Sequence, residues 1–296
     1  MKSFPFKKID AFTKGLSAGN PCACIYLNSP NDISDQEMQL IARELKGFVN
    51  EVVYLFPEEK CFALKYYSAE CAVDFCGHGT IGIMYDLIRS RPDLLQKKII
   101  TIKAKDVYLD IFNKITASDS IFITAPAPQF NQLKLGEIEI AAALNISANS
   151  IAGKYKLALI NAGLNTLIVP INDLNTCLTT KPSEPALKDF CLVNGIDIIL
   201  VFTEEVADKS NKFRTRVFAP KYGYLEDPAT GSGNAALGNY LLQNGLWDGD
   251  CLSIEQNSSY DFPNTVKLDT AQDNQRKRVL FGGSAVVKIQ GEYKLS

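Results

Sequence analysis

The chain contains two glycine-rich pentads, CGHGT at 76–80 and TGSGN at 230–234. The sequence predicts the same order of strands and helices in each half of the chain, and each pentad lies at the same point in that order. Each pentad follows strand-like runs and opens a segment with helical spacing of apolar residues. A strand–helix–strand order also recurs by chance in mixed proteins, but the matching pentads favour a duplication. We therefore predict an α+β fold of two similar lobes, 1–125 and 126–296, with the last strands free to cross back to the first lobe.

Local signals support the individual elements. Ser34 and Glu37 form a capping-box pattern at the start of a predicted helix at 34–45, and a second helix is predicted at 185–194. The helices after the pentads carry apolar residues at spacings of three and four, namely Ile81, Met84, Tyr85 and Ile88, and Ala236, Tyr240 and Leu241. Short β-branched and aromatic runs predict strands at 19–27, 50–56, 62–69, 99–102, 121–124, 162–170, 196–202, 213–219 and 279–281.

Composition restricts the class of partner. The 296 residues include 31 Lys and Arg against 33 Asp and Glu, and this balance gives no extended positive field for nucleic acid or an anionic membrane surface. The expected partner is a small molecule. No apolar stretch has the length of a signal peptide or a membrane span, so we expect a cytoplasmic protein. Eight cysteines without a CxxC pair and a single histidine offer no motif-spaced zinc ligands, so we predict no metal.

Each pentad places bare backbone N–H groups at the start of a helix, where the helix dipole attracts anions. The same dipole disfavours a positive imidazole at His78, the only histidine, so we predict a neutral side chain that positions a ligand. The alternative is a buried histidine with a purely structural role. Glycine at a helix start has a structural alternative as well, because it tolerates a tight turn.

Two acidic positions are candidates for chemistry. Glu51 begins a strand whose next residues are apolar, and this setting suits a carboxylate that takes up and returns a proton near neutral pH. The alternative for Glu51 is a solvent-facing side chain at a strand end. Asp227 lies in EDPATGSGN at 226–234, where carboxylates, hydroxyls and glycines are concentrated, and its alternative role is to cap an Asp–Pro turn.

Cys76 lies at a helix N-terminus, where a thiol becomes more acidic and can act as a base or nucleophile. A racemase would need a second base opposite the first. The corresponding position of the other pentad is Thr230, which cannot serve as a thiolate. A buried structural cysteine is therefore favoured over a catalytic one.

Motifs along nearly the whole chain point to one family. They are IDAF at 9–12, GNP at 19–21, the glutamate and strand at 51–55, CGHGT at 76–80, EDPATGS at 226–232 and GG-A-V at 282–286. In this order they resemble the PhzF phenazine-biosynthesis family, within the diaminopimelate epimerase-like fold. The resemblance implies two pseudo-symmetric lobes, each with a curved, mostly antiparallel sheet around a central helix. It also implies an active site between the lobes and a homodimer.

The resemblance further implies a reaction and its residues. The expected activity is a cofactor-independent isomerisation that moves a proton on a small cyclic or unsaturated carboxylate, similar to that of trans-2,3-dihydro-3-hydroxyanthranilate isomerase. Glu51 matches the family's proton carrier, and three further residues match its supporting catalytic positions: His78, Asp227 and Ser232. The glycine loops would hold the substrate carboxylate, with contacts from Gly77, Gly79, Thr80, Thr230, Gly231 and Gly233.

Two features depart from the family pattern. Many members read SETAF where this chain has NEVVY at 50–54, and Glu44 is the alternative candidate for the family glutamate. Gly79 stands where alanine or proline is frequent, which predicts a pocket of different shape. Two alternatives to the isomerase remain: an amino-acid epimerase or racemase of the same fold, and a member that binds a ligand or a protein without catalysis.

Overall fold

The computed structural model describes residues 2–273 and 276–295. The chain forms two compact units, Met1–Thr124 with Gly282–Ser296, and Ala125–Phe281. It returns to the first unit near its C-terminal end, inside a strand. Within the described ranges, no helix is both long enough and apolar enough to cross a membrane.

The strands and helices are numbered in chain order. The strands are β1 (Lys2–Ala11), β2 (Asn20–Tyr26), β3 (Glu51–Pro57), β4 (Phe62–Ser68), β5 (Ala72–Val73), β6 (Ile99–Ala104), β7 (Val107–Asn113), β8 (Ile121–Thr124), β9 (Gln129–Asn131), β10 (Ala158–Asn161), β11 (Asn165–Pro170), β12 (Ile198–Thr203), β13 (Phe213–Phe218), β14 (Glu226–Asp227), β15 (Leu252–Gln256), β16 (Asn264–Asp273), β17 (Arg276–Gly283) and β18 (Ala285–Leu295). The helices are α1 (Asp35–Glu44), α2 (Gly77–Ser90), α3 (Pro92–Leu95), α4 (Ile115–Ser118), α5 (Glu137–Leu144), α6 (Leu174–Thr179), α7 (Glu184–Val193) and α8 (Gly231–Gln243).

In the first unit, paired strands follow the order β18–β1–β2–β3–β4–β6–β7–β8, and β5 pairs with β4 as well. All of these pairs are antiparallel except β2 with β3 and β4 with β6. Two parallel strands cannot be joined by a hairpin, so each parallel pair needs a crossover. The crossover from β2 to β3 contains α1, and the crossover from β4 to β6 contains α2.

The second unit repeats this pattern. Its paired strands follow the order β9–β10–β11–β12–β13–β15–β16, with β14 also paired to β13. The parallel pairs are again the third and fifth in the strand order, β11 with β12 and β13 with β15, and the crossover between the latter two contains α8. The duplication read from the sequence is therefore present in the hydrogen bonding of the sheets, and the α+β fold is confirmed.

Each unit has one helix that is buried on nearly all sides. Every residue of 79–85 in α2 and of 233–241 in α8 is buried. Such burial requires packing around the whole helix and not along one apolar stripe. Glycine allows the close approach in the first unit, because a Cβ at Gly82 would lie 2.9 Å from the Sγ of Cys22 in β2.

A different helix covers the opposite face of the first-unit sheet. Met38 and Ile41 of α1 belong to one buried cluster with Ile25 of β2 and Tyr54 of β3. The strand β3 is therefore buried between α1 on one face and α2 on the other. This explains why its sequence is a continuous apolar run and not an alternating one.

Several predicted elements match the observed ones. The helix predicted at 34–45 is α1, and both capping-box hydrogen bonds between Ser34 and Glu37 are formed. The helix predicted at 185–194 is α7. The sequence signals miss β1 and β18, whose sequences are interrupted by lysines, and most side chains of β18 are exposed.

Candidate active site

Strand alternation places Glu51 on the sheet face that α2 covers. Val52 and Tyr54 point to the opposite face and pack in the α1 cluster. Glu51 and Val53 therefore point towards α2, and Val53 lies against Gly79 in the first turn of that helix. Glu51 is the first residue of β3, so its carboxylate lies beside the helix start. Its side chain is 19% exposed.

Cys76 caps the start of α2. Its Sγ accepts a hydrogen bond from the N–H of Gly79 at 3.4 Å. The carbonyl of Cys76 accepts from the N–H and the hydroxyl of Thr80, at 2.9 and 2.8 Å. Thr80 is fully buried, and its hydroxyl also lies 2.7 Å from that of Tyr66. The Thr80 side chain therefore stabilises the helix start and does not face solvent.

Glu51, Cys76 and His78 form a cluster at this helix start. The Nε2 of His78 lies 3.2 Å from the Oε2 of Glu51, and its Nδ1 lies 3.5 Å from the Sγ of Cys76. The atoms of His78 and Glu51 are close enough for an ion pair but are not aligned for a hydrogen bond. The Oε2 of Glu51 thus has no hydrogen-bond partner among the described residues. A buried oxygen without a partner costs stability, and such groups are associated with function.

The charges of this cluster follow from burial and proximity. Burial raises the pKa of the Cys76 thiol, so it stays protonated at neutral pH. Burial by itself lowers the pKa of His78, but Cys76 and Glu51 raise it more, and the result lies well above the usual value. The carboxylate of Glu51, 3.2 Å from the ring, favours the positive form of His78. The prediction of a neutral His78 considered the helix dipole and left out the carboxylate beside the ring, which favours the charged form.

The same three side chains are capable of ligating a cation. Their donor atoms all lie within 4.8 Å of one another. The prediction of no metal considered ligands spaced within a motif. It did not consider a group assembled from a strand end, a helix cap and the first turn of that helix.

In the second unit, Asp227 lies in β14 and is almost buried. Its carboxylate accepts a hydrogen bond from the hydroxyl of Thr230, the residue before α8. Gln256, at the end of β15, holds the loop between them. Its Oε1 accepts from the N–H of Thr230 at 3.0 Å, and its Nε2 donates to the carbonyl of Asp227 at 2.8 Å. Asn234 of α8 also donates to the Oε1 of Gln256, at 2.7 Å.

Sequence reasoning misses Gln256. Its side chain is fully buried, and no local motif marks it. It reaches the EDPATGSGN loop because β15 pairs with β13, which in turn pairs with the strand that contains Asp227. Ser232 is half-buried in the first turn of α8, and its hydroxyl makes no hydrogen bond to the residues that the structure describes.

The structure assembles the predicted residues in two groups. The first unit brings together the strand end at Glu51 and the α2 start with Gly77, His78, Gly79 and Thr80. The second unit brings together Asp227 and the α8 start with Thr230, Gly231, Ser232 and Gly233. The alternative glutamate, Glu44, ends α1, and its carboxylate accepts from the hydroxyl of Tyr293. It lies on the α1 face of the sheet, and Glu51 is the glutamate that contacts His78.

Known proteins with the same sequence pattern define the family. The sequence matches the family described as phenazine biosynthesis-like protein, PhzC-PhzF, over residues 9–291. The chain belongs to the PhzC-PhzF family. This agrees with the resemblance read from the motifs, which extend over almost the same range.

Relatives of this PhzC-PhzF protein agree in fold and in reaction class. It is 26% identical to an uncharacterized isomerase of Clostridium acetobutylicum, with 100% of each chain covered. A PhzF-family phenazine biosynthesis protein of Bacillus anthracis has the same fold, with a TM-score of 0.87, 25% identity and 100% of both chains covered. A hydroxyproline epimerase of Agrobacterium vitis shares the fold at a TM-score of 0.60 and 13% identity, covering 99% of this chain and 91% of that one. The predicted fold and isomerase class are confirmed.

Proposed function

We propose that this PhzC-PhzF protein moves a proton between carbon atoms of a small cyclic or unsaturated carboxylate without a cofactor, and that Glu51 carries the proton. The observation behind this proposal is a carboxylate oxygen without a hydrogen-bond partner, 3.2 Å from His78. The substrate class is the one that the family resemblance implies. Its reference compound is trans-2,3-dihydro-3-hydroxyanthranilate.

One base suffices for such a reaction. A group that removes a proton from one carbon becomes the acid that returns it to another, provided that both carbons lie within its hydrogen-bond reach. The Oε2 of Glu51 accepts no hydrogen bond from a described residue, and Val53, on the same face of the strand, is buried. Apolar neighbours limit the water that would compete for the proton.

His78 supports both charge states of Glu51. Its pKa is raised by Cys76 and Glu51, and the positive form of the ring stabilises the Glu51 carboxylate before proton removal. Once Glu51 is protonated, the same positive ring stabilises the negative charge that develops on the substrate. Cys76 lies 3.5 Å from the Nδ1 of His78 and orients the ring, so we assign it a positioning role.

We extend the proposal to the carboxylate of the substrate. The first-turn N–H groups of a helix lack intrahelical acceptors and are suited to bind an anion. We propose this role for the starts of α2 and α8, with Asp227 and Ser232 as further catalytic groups. In support, the hydroxyl of Ser232 makes no hydrogen bond to a described residue, and Asp227 is held by Thr230.

The alternative enzyme, an epimerase with Cys76 as base, has less support. Its fold is shared with the hydroxyproline epimerase, but burial keeps Cys76 protonated and its Sγ already accepts from Gly79. If Cys76 is the base, Cys76→Ser abolishes turnover. If Glu51 is the base, this variant keeps most of its turnover, because serine is a good helix cap.

The test is incubation in D2O with dihydrohydroxyanthranilate and related unsaturated acids, followed by NMR. We expect product from the wild type and a loss of about 10²–10⁴-fold in rate for Glu51→Gln, which is the usual contribution of a proton-transfer group. Glu44→Gln is the matched control, since it makes the same chemical change at an exposed carboxylate. Its rate is expected to equal that of the wild type.

Two results would contradict the proposal. Equal rates for the wild type and Glu51→Gln would remove Glu51 as the carrier. Thermal stabilisation by these acids, with no product and no deuterium exchange in any of them, would instead favour a binding protein that lacks catalysis.

A further inference from the structure

The orientation of the Gln256 side-chain amide is fixed by backbone groups on both of its sides. Its Oε1 lies 3.0 Å from the N–H of Thr230, which can only donate, and its Nε2 lies 2.8 Å from the carbonyl of Asp227, which can only accept. Asn234 agrees with this orientation, because it donates to the same Oε1 at 2.7 Å and to the carbonyl of Thr230 at 2.9 Å. The Nε2 of Gln256 is therefore a donor towards the loop.

This amide sets the direction of a hydrogen-bond chain that ends on Asp227. The same Nε2 donates to the hydroxyl of Thr230 at 3.1 Å. A hydroxyl has a single proton, and Thr230 donates that proton to the Oδ2 of Asp227. At the start of a helix a threonine hydroxyl commonly accepts from a first-turn N–H, but Thr230 makes no such cap on α8. The chain runs from Gln256 through Thr230 to Asp227 and requires an acceptor at its end.

We propose that Gln256 is a positioning residue for the proposed reaction, because through the hydroxyl of Thr230 it holds Asp227 as a hydrogen-bond acceptor in one orientation. All three side chains are buried, where hydrogen bonds in a chain strengthen one another and fix the side-chain conformation. The effect on turnover rests on the proposed catalytic role of Asp227. The direction of the chain does not.

Exchanging donor and acceptor at the two ends of the chain tests its direction without a substrate. Gln256→Glu replaces the donor by an oxygen and places a second carboxyl group beside the Thr230 hydroxyl, so we expect a lower midpoint of urea denaturation. Adding Asp227→Asn supplies a donor at the other end and allows the hydroxyl to donate to residue 256, so the double variant should recover most of the loss. In the background of Thr230→Val, which lacks the hydroxyl, the recovery should be smaller.

Turnover is measured with trans-2,3-dihydro-3-hydroxyanthranilate. We expect Gln256→Glu to lower kcat about 10–100-fold, the usual effect of losing a hydrogen bond to a charged group, with little change in KM. Asn264→Asp is the matched control. It makes the same amide-to-acid change at a buried side chain that donates to the carbonyl of Pro228, in the same loop, at 2.8 Å, and it should keep the kcat of the wild type.

The outcomes separate the chain from the reaction. Equal recovery by Asp227→Asn with and without the Thr230 hydroxyl would mean that charge repulsion alone couples the two ends, and it would overturn the proposal. Equal falls in kcat for Gln256→Glu and Asn264→Asp would also overturn it, because they would show a general loosening of the loop. If the recovery depends on the hydroxyl but Gln256→Glu keeps its kcat, the positioning role falls, and with it the catalytic role of Asp227, while the chain stands. Equal turnover of the wild type and Glu51→Gln would remove the proposed proton carrier and leave the urea result unaffected.

Discussion

Gly79 and Val53 should behave as a coupled pair. A Cβ at residue 79 would lie 2.5 Å from the Cγ2 of Val53 and 3.0 Å from the Sγ of Cys76. Carbon atoms pack at about 3.5–4.0 Å, so Gly79→Ala creates an overlap of about 1 Å with Val53. Val53 is fully buried in β3, which is paired with β2 on one side and β4 on the other. The valine therefore has little freedom to move away.

The size of the effect follows from packing. Overpacking costs about 1–3 kcal/mol, and the higher helix propensity of alanine offsets at most about 1 kcal/mol. We expect Gly79→Ala to lower the free energy of unfolding by about 1–2 kcal/mol. Val53→Ala removes two buried methyl groups and costs about 1–3 kcal/mol. In the double variant the new methyl group occupies space that the valine leaves, so its stability should at least equal that of Val53→Ala.

Urea denaturation of the wild type, both single variants and the double variant measures this coupling, which we expect at about 1–3 kcal/mol. Gly153→Ala is the matched control, because a Cβ there would meet no atom within 4 Å. Its stability should change by less than about 0.5 kcal/mol. The packing argument is refuted if Gly79→Ala is as stable as the wild type, or if the costs of the two single variants simply add in the double variant.

Val53 and Gly79, which contact each other, are also positions at which this chain departs from the family pattern. Where many members have alanine in SETAF, this chain has Val53, and where alanine or proline is frequent it has Gly79. Because Gly79 follows His78 directly and Val53 is two residues after Glu51, their contact shapes the surface beside the proposed proton carrier.

Two further predictions concern charge. His78 is the only histidine, so its imidazole NMR signals report its titration directly, and we expect a midpoint above the unfolded value of about 6.5 that falls in Glu51→Gln. The stability that His78 contributes is present below about pH 6.5 and is lost as pH rises through the folded pKa. A titration midpoint of the His78 imidazole at or below about 6.5 in the folded protein would contradict this expectation. Glu255→Gln should lower the free energy of unfolding in urea by about 3–5 kcal/mol, because it removes the negative charge that compensates the fully buried Arg214 at 2.9 Å. Lys46→Ala, which breaks an exposed ion pair, should change nothing measurable, and equal effects of these two substitutions would refute the argument.

Local signals account for the elements that the sequence predicts correctly. The capping box at Ser34 is a hydrogen-bond exchange between residues three apart, so the sequence contains all of its parts. The strands β1 and β18 are different. They pair with each other along almost their full length, although they lie at opposite ends of the chain. Their stability comes from this long-range pairing, which no local pattern records.

The sequence by itself determined the duplication, the two glycine-rich helix starts and the residue types available for proton transfer. Covalent spacing and local hydrogen bonding are sufficient for these. Only the tertiary structure decided that Glu51, Cys76 and His78 form one cluster and that the pKa of His78 is raised beside a carboxylate. The physical reason is that the interaction of two charges depends on the distance between them and on their burial, and both are set by how β3 packs against α2.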